Sequence, residues 1–176
     1  MGYKMQCLWQ IIAQGKPYPY YYGLADGAMN HYIYAHLQAY EVPCVALLNR
    51  EDLPPEQRAW LFELRKDHLF SQWYLQESQG KYWGVIFGTP LALSELAAHL
   101  LHFFTVQDEA GCLHWIRAYD PRVTRAYLSA LNDEQRAALF EPQLGWWAED
   151  LAYDNQVIHY QMQEGKLDAR FMYFEP

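Results

Sequence analysis

The sequence predicts an α/β (α+β) fold: a mixed, mostly covered β-sheet flanked by helices, with a C-terminal antiparallel hairpin. Three observations predict it. Short apolar runs of strand length, bounded by Gly and Pro, recur at Tyr20–Ala25, Pro43–Leu48 and Tyr82–Phe87. Stretches with apolar residues three and four apart lie between and after them. The chain then ends in two alternating runs joined across Glu164-Gly165. Strands alternating with helices imply a covered sheet, with antiparallel additions late in the chain.

In order along the chain, Met5, Leu8, Trp9 and Ile12 fall on one face of a short amphipathic helix. Gly15 to Pro19 breaks it. The Tyr20–Ala25 strand closes at the turn signal Asp26-Gly27. A helix is predicted over Met29–Tyr40, with Ile33, Leu37 and Tyr40 on one face. Pro43–Leu48 is a strand in a covered sheet. Residues 49–78 leave two readings open after the breaker Leu53-Pro54-Pro55. Trp60, Leu61, Leu64 and Leu69 can mark a helix. Alternatively, Ala59–Leu64 is a strand and Asp67 caps a helix to Glu77. Tyr82–Phe87 is a strand. Ser94 opens a helix to Phe103, with Leu93, Leu96, Ala97, Leu100 and Leu101 as its core stripe.

Thr105–Asp108 and Cys112–Tyr119 read as a hairpin across Ala110-Gly111. Helices follow at Pro121–Leu131 and, capped by Asn132, at Asp133–Phe140. Pro142–Trp147 is irregular or a short strand. Gln156–Met162 and Leu167–Phe174 form the terminal hairpin.

The segment Arg117-Ala-Tyr-Asp-Pro-Arg122 is a polar, charged strand-to-helix junction flanked by apolar sequence on both sides. Pro121 suits the first helical position, where a missing N–H has no intrahelical partner to lose. Asp120 is then the N-cap, accepting from the free N–H groups of the first turn. Arg117 and Arg122 place two guanidinium groups around one carboxylate. In one reading this is a structural junction of Arg117, Asp120, Pro121 and Asp26. In the other, the arginines and the Asp sit at the carboxyl end of a strand, where open α/β sheets bind ligands. The structural reading is the simpler of the two, because a fold does not by itself create a function.

Composition narrows the classes. At 176 residues the chain is long enough to bury a real core. Its 15 Tyr, 8 Phe and 7 Trp are too many for one small core, so some are expected at a surface that another protein covers. The net charge of −8 argues against nucleic acid and anionic membranes as partners. Residues 141–176 carry seven acidic and two basic side chains, an acidic surface of their own. Three cysteines without C-x-x-C spacing fit a reducing cytoplasm better than a disulfide scaffold. No signal peptide or membrane-spanning run is evident.

Neither a phosphate-binding loop, nor a dinucleotide fingerprint, nor a nucleophile elbow occurs. His99 and His102 lie three apart on one helix, and Cys112 and His114 share a strand face. Their spacing fits no closed zinc motif, so no metal and no other cofactor is expected. Asp26 can join Glu41 or Asp120 as an acid–base couple, but backbone hydrogen bonding in the Asp-Gly turn explains it more simply. Trp146-Trp147 beside Glu149-Asp150 can stack a ligand, or one Trp closes the core while the other faces a partner or solvent.

Several pieces together resemble one family. They are Tyr22-Gly-Leu-Ala-Asp-Gly-Ala28, Trp83-Gly-Val-Ile-Phe87 followed by Leu93–Leu100, Val106–Gly111, Arg117–Val123, and Leu139-Phe-Glu-Pro142 with Trp146. Over about residues 20–147 the chain is similar to the effector-adaptor chaperones of bacterial type VI secretion, a family first catalogued as a domain of unknown function. Glu141 departs from the Gly that commonly precedes the Pro, and Gly88-Thr89 from a position often held by Ser.

The resemblance implies a cytoplasmic, non-enzymatic protein. It would hold the N-terminal region of a secreted effector protein and deliver it to the spike trimer protein. It also selects Ala59–Leu64 as a strand. On this reading residues 1–150 are the adaptor domain, and 151–176 a hairpin extension packed on it. The expected partner-binding residues are Tyr119, Arg122, Trp146, Trp147, Phe171 and Tyr173. The alternative is a small enzyme acting on an anionic substrate through Arg117, Asp120, Arg122 and His114. That alternative requires all four side chains to point into one pocket.

Overall fold

The computed structural model describes Trp9, Ile12, residues 17–153 and residues 155–173. Trp9 and Ile12 are helical and buried, while the expected partners on their stripe, Met5 and Leu8, lie outside the described residues. Nine strands follow: β1 Tyr20–Asp26, β2 Cys44–Ala46, β3 Ala59–Leu64, β4 Gly84–Thr89, β5 Thr105–Gln107, β6 Leu113–Trp115, β7 Gly145–Glu149, β8 Gln156–Gln163 and β9 Lys166–Tyr173. The helices among them are α1 Tyr32–Ala39, α2 Leu69–Glu77, α3 Leu93–Phe104, α4 Pro121–Ala130 and α5 Asp133–Phe140.

Seven strands form one sheet in the order β2-β3-β1-β4-β7-β8-β9, and β5 and β6 form a separate ribbon. Helices cover both faces of the sheet, because side chains alternate along every central strand. Tyr22, Leu24, Leu61, Phe87, Trp146, Ile158 and Tyr160 face α3, α4 and α5. Ala25, Phe62, Leu64, Ile86, Trp147 and Val157 face α1, α2 and the Trp9–Ile12 stretch. Trp146 sits against Phe87 and Phe104, with ring centroids 4.9 and 5.9 Å away. On the other face Trp147 stacks on His159 at 4.2 Å.

Every described pairing in the sheet is antiparallel, where a mixed sheet was expected. The reason is strand order. β3 and β4 run the same way and are joined through α2, but β1 lies between them and opposes both. The crossover that strand–helix alternation implied is present without a parallel pair.

Several boundaries move for local reasons. The helix expected from Met29 begins at Tyr32. A 3₁₀ turn, Gly27–Met29, comes first, and the Asn30 side chain accepts from the Tyr32 N–H at 2.9 Å. Tyr40 lies past the end of α1 and is exposed, not on its buried face. The strand expected from Tyr82 begins at Gly84, because Tyr82 takes a left-handed φ of 53°. Asp67 is not the cap of α2; His68 occupies that position and makes no side-chain cap bond. Leu101 turns to the exposed side of α3, and Phe104 joins Leu96 and Leu100 in the core instead. β2 is a three-residue, half-buried edge strand, shorter than the covered strand expected over Pro43–Leu48.

The terminal hairpin forms across the expected turn, with a register from Gln156 opposite Tyr173 to Gln163 opposite Lys166. Glu164 and Gly165 turn it with φ of 51° and 76°, the two positive values a tight hairpin turn requires. β8 also pairs with β7, so the hairpin continues the main sheet and leaves β9 as its last strand.

Candidate functional site

The Arg117–Arg122 junction sits between the β5–β6 ribbon and α4. Asp120 is the N-cap of α4 and Pro121 its first residue, as the sequence requires. The Asp120 side chain is 8% exposed and takes three bonds from Arg122: the backbone N–H at 2.9 Å, Nε at 2.8 Å and Nη2 at 2.6 Å. Burial alone would raise the Asp120 carboxyl. The Arg122 hydrogen bonds and the charges of Arg122 and Arg117 outweigh it and hold the group below the usual carboxylate range.

Arg117 is shared differently from the expectation. Its principal partner is Asp26, ninety-one positions away in the chain, and Asp120 lies 3.9 Å from the same Nη2. Asp26 is therefore more than a turn residue. One oxygen accepts from the Ala28 N–H at 2.9 Å, and the other holds Arg117. Its carboxylate is bound to a guanidinium, the arrangement of a structural ion pair. Gly27 is needed beside it because the chain passes close to the segment before β3. A Cβ at Gly27 would stand 2.6 Å from the Glu56 carbonyl oxygen and 2.7 Å from that of Arg58.

The result is a chain of charges, Asp26–Arg117–Asp120–Arg122, clamping the end of β1 to the start of α4. It borders a cavity of about 300 Å³. Arg117, Arg50 and Arg58 line the cavity together with Asp26, Trp115 and Tyr119. Tyr119 is buried, and burial, followed by the Asp26 charge, pushes its phenol up. Asp120, Arg122 and His114 are not among the residues of this wall. His114 instead points to Asp108 in the ribbon turn, Nε2 to Oδ2 at 2.7 Å.

The ribbon also corrects the ligand-site geometry read from the sequence. Among the described residues β6 is three residues long and pairs only with β5, so the arginines do not stand at the carboxyl end of a strand of the main sheet. Arg50 and Arg58 gave no signal in the sequence. Each has acidic neighbours, Glu51 and Asp52 for one and Glu56 for the other, and only the fold brings them to Arg117.

The expected partner-binding residues divide by burial. Tyr119, Trp146 and Trp147 are buried, Trp146 completely; the two tryptophan rings are core, while Tyr119 stands on the cavity wall. Both tryptophans are enclosed because β7 is a central strand with helices over each face. Arg122 is half exposed beside Asp120. Phe171 and Tyr173 are 51% and 63% exposed on the last strand. Tyr32 and Tyr153 are also more than half exposed. His99 bonds the Leu139 carbonyl at 2.7 Å. Among the described residues no group of three or more His, Cys, Asp or Glu is arranged to hold a metal ion, and no helix is long and apolar enough to cross a membrane.

Fold and junction together define an α+β protein whose antiparallel sheet is covered on both faces and clamped at one end by an Asp–Arg network. A family model described as a domain of unknown function (DUF4123) matches residues 21–138. The chain belongs to that family. The matched stretch runs from β1 into α5 and contains Asp26, Arg50, Arg58, Arg117 and Asp120. No curated protein and no solved structure matches the chain.

Proposed function

We propose that this protein is a non-enzymatic adaptor chaperone of type VI secretion, which holds a secreted effector in the bacterial cytoplasm and helps load it onto the spike tip. The observation that carries this reading is family membership over residues 21–138, in a chain whose Arg117–Val123 segment and its spacing to Tyr22–Ala28 resemble the effector adaptors.

Physical features support it. Among the described residues β9 pairs on one side only, with β8, and an edge strand offers backbone groups for strand addition by a partner. Phe171 and Tyr173 project from that strand on one face, in register with Ile158 and Gln156. The net charge of −5 over residues 141–176 suits steering of a basic segment toward this edge. The reading is supported over the enzymatic alternative by the separation of its residues: Arg117 lines the cavity, Asp120 and Arg122 bind each other outside its wall, and His114 bonds Asp108 in the ribbon.

The test is co-purification from the native host with the partner identified. A type VI effector should be recovered stoichiometrically, and its export should stop when this chain is deleted. Phe171→Ala with Tyr173→Ala should leave the melting temperature unchanged and weaken that recovery. Turnover by the purified chain that disappears in Arg122→Ala or His114→Ala would overturn the proposal, as would effector export that continues without the chain.

A further inference from the structure

The cavity beside the Asp26–Arg117 pair carries an inference that is independent of the adaptor reading. Three guanidinium groups, from Arg50, Arg58 and Arg117, line it against a single carboxylate, Asp26, in a protein of net charge −8. Two of the three are compensated. Arg117 is held by Asp26, and Arg50 makes a two-pronged pair with Asp52 outside the wall, at 2.6 and 2.7 Å. Arg58 is different. Its Nε donates to the Leu53 carbonyl at 2.9 Å, which fixes the plane of the guanidinium. Among the described residues its two terminal nitrogens have no partner, and no carboxylate lies within ion-pair distance. The residue is half-buried.

A half-buried cation whose terminal N–H groups lack an acceptor has lost part of its hydration without a bond in exchange, and Asp52, whose charge it also feels, is already bound by Arg50. A guanidinium pinned at Nε presents its remaining N–H groups as a fixed fork, the geometry that matches two oxygens of a carboxylate or phosphate. Trp115 and Tyr119 wall the same space and lower the local dielectric, which strengthens the attraction for an anion. The volume of about 300 Å³ is at the lower end of ligand-site sizes and accommodates an oxyanion with a few attached carbons.

We propose that this cavity is an oxyanion-binding site in which Arg58 supplies the uncompensated fork and Arg50 and Arg117 the surrounding positive charge. The anion is a carboxylate or phosphate, brought either by a free small molecule or by an acidic side chain of a bound protein.

The test uses the full chain and three probes at constant ionic strength: succinate, inorganic phosphate and an acetylated, amidated tetraglutamate peptide. Binding is read by calorimetry and by the indole N–H resonance of Trp115. At least one probe should bind saturably and move that resonance. Arg58→Gln should weaken it on the order of tenfold or more, the value of a charge-assisted hydrogen bond. Arg58→Lys should fall between, since it keeps the charge and loses the fork.

Tighter binding of the peptide than of the small anions assigns the site to an acidic protein segment; the reverse order assigns it to a free anion. If Arg58→Gln does not fold, Arg50→Gln and Arg58→Lys carry the comparison. No binding of any probe to the wild-type chain overturns the proposal. So does binding that folded variants leave unchanged. Neither result bears on whether the chain carries an effector.

Discussion

Replacing Asp120 by Ala should cost about 2 kcal/mol of stability before it affects any interaction with a partner. The side chain is 8% exposed, so its bonds are not readily replaced by water. Loss of the N-cap bond to the Arg122 N–H contributes about 1 kcal/mol. The guanidinium of Arg122 is half exposed, so its two bonds are discounted for solvent to roughly 0.5 kcal/mol. The remainder comes from Arg117, whose second carboxylate at 3.9 Å disappears. For a domain of this size the melting temperature should fall by about 4–8 °C.

Asp120→Asn keeps an acceptor for the cap and should cost about half as much. The pH dependence has a definite sign. Asp120 is held below the ordinary carboxylate value when folded, so its contribution is present above about pH 4 and is lost as pH falls through the folded value. The wild-type and Asp120→Ala stability curves should therefore converge in acid. Urea unfolding at several pH values measures all of this. Two results would refute the reasoning: a difference under about 0.5 kcal/mol at neutral pH with unchanged m-value, or Asp120→Asn as damaging as Asp120→Ala.

Two other substitutions test the core. His159 is buried against Trp147, and burial, with the Arg170 charge next, lowers its pKa to about 4. The unfolded chain then binds the extra proton from about pH 6.5 downward, so stability should drop between about pH 6.5 and 4, by up to about 3 kcal/mol; His159→Phe should flatten that window in urea midpoints, and an unchanged pH profile would count against the assignment. Gly84→Ala should cost roughly 2–3 kcal/mol, because a Cβ there would stand 1.9 Å from the Leu24 carbonyl oxygen in the neighbouring strand; a thermal melt within a degree of wild type would show that β1 and β4 can separate freely.

What the chain declared in its sequence was local. Asp120-Pro121, Asn132, and Glu164-Gly165 each act on groups within three or four positions, so the caps and the turn could be read directly and are found in place. Most strands and helices were legible for the same reason, since alternation and helical spacing are properties of a short window. The Arg117–Ala-Tyr-Asp-Pro-Arg122 junction was legible as a place, and its full partnership was not. Arg117 meets Asp26 only because β1 ends where the ribbon returns to α4, a coincidence of strand order that no window contains.

Strand order decided the remainder as well. It put β1 between β3 and β4 and made the sheet antiparallel. It placed β7 centrally and so buried both Trp146 and Trp147, and it left Phe171 and Tyr173 on an edge. It also gathered Arg50 and Arg58, from the segment before β3, and Arg117, from the segment before α4, around one cavity. Hydrogen bonds between neighbours along the chain are specified by adjacent residues. Pairing between strands is selected by the burial of whole faces, and that is settled only when all the faces are packed at once.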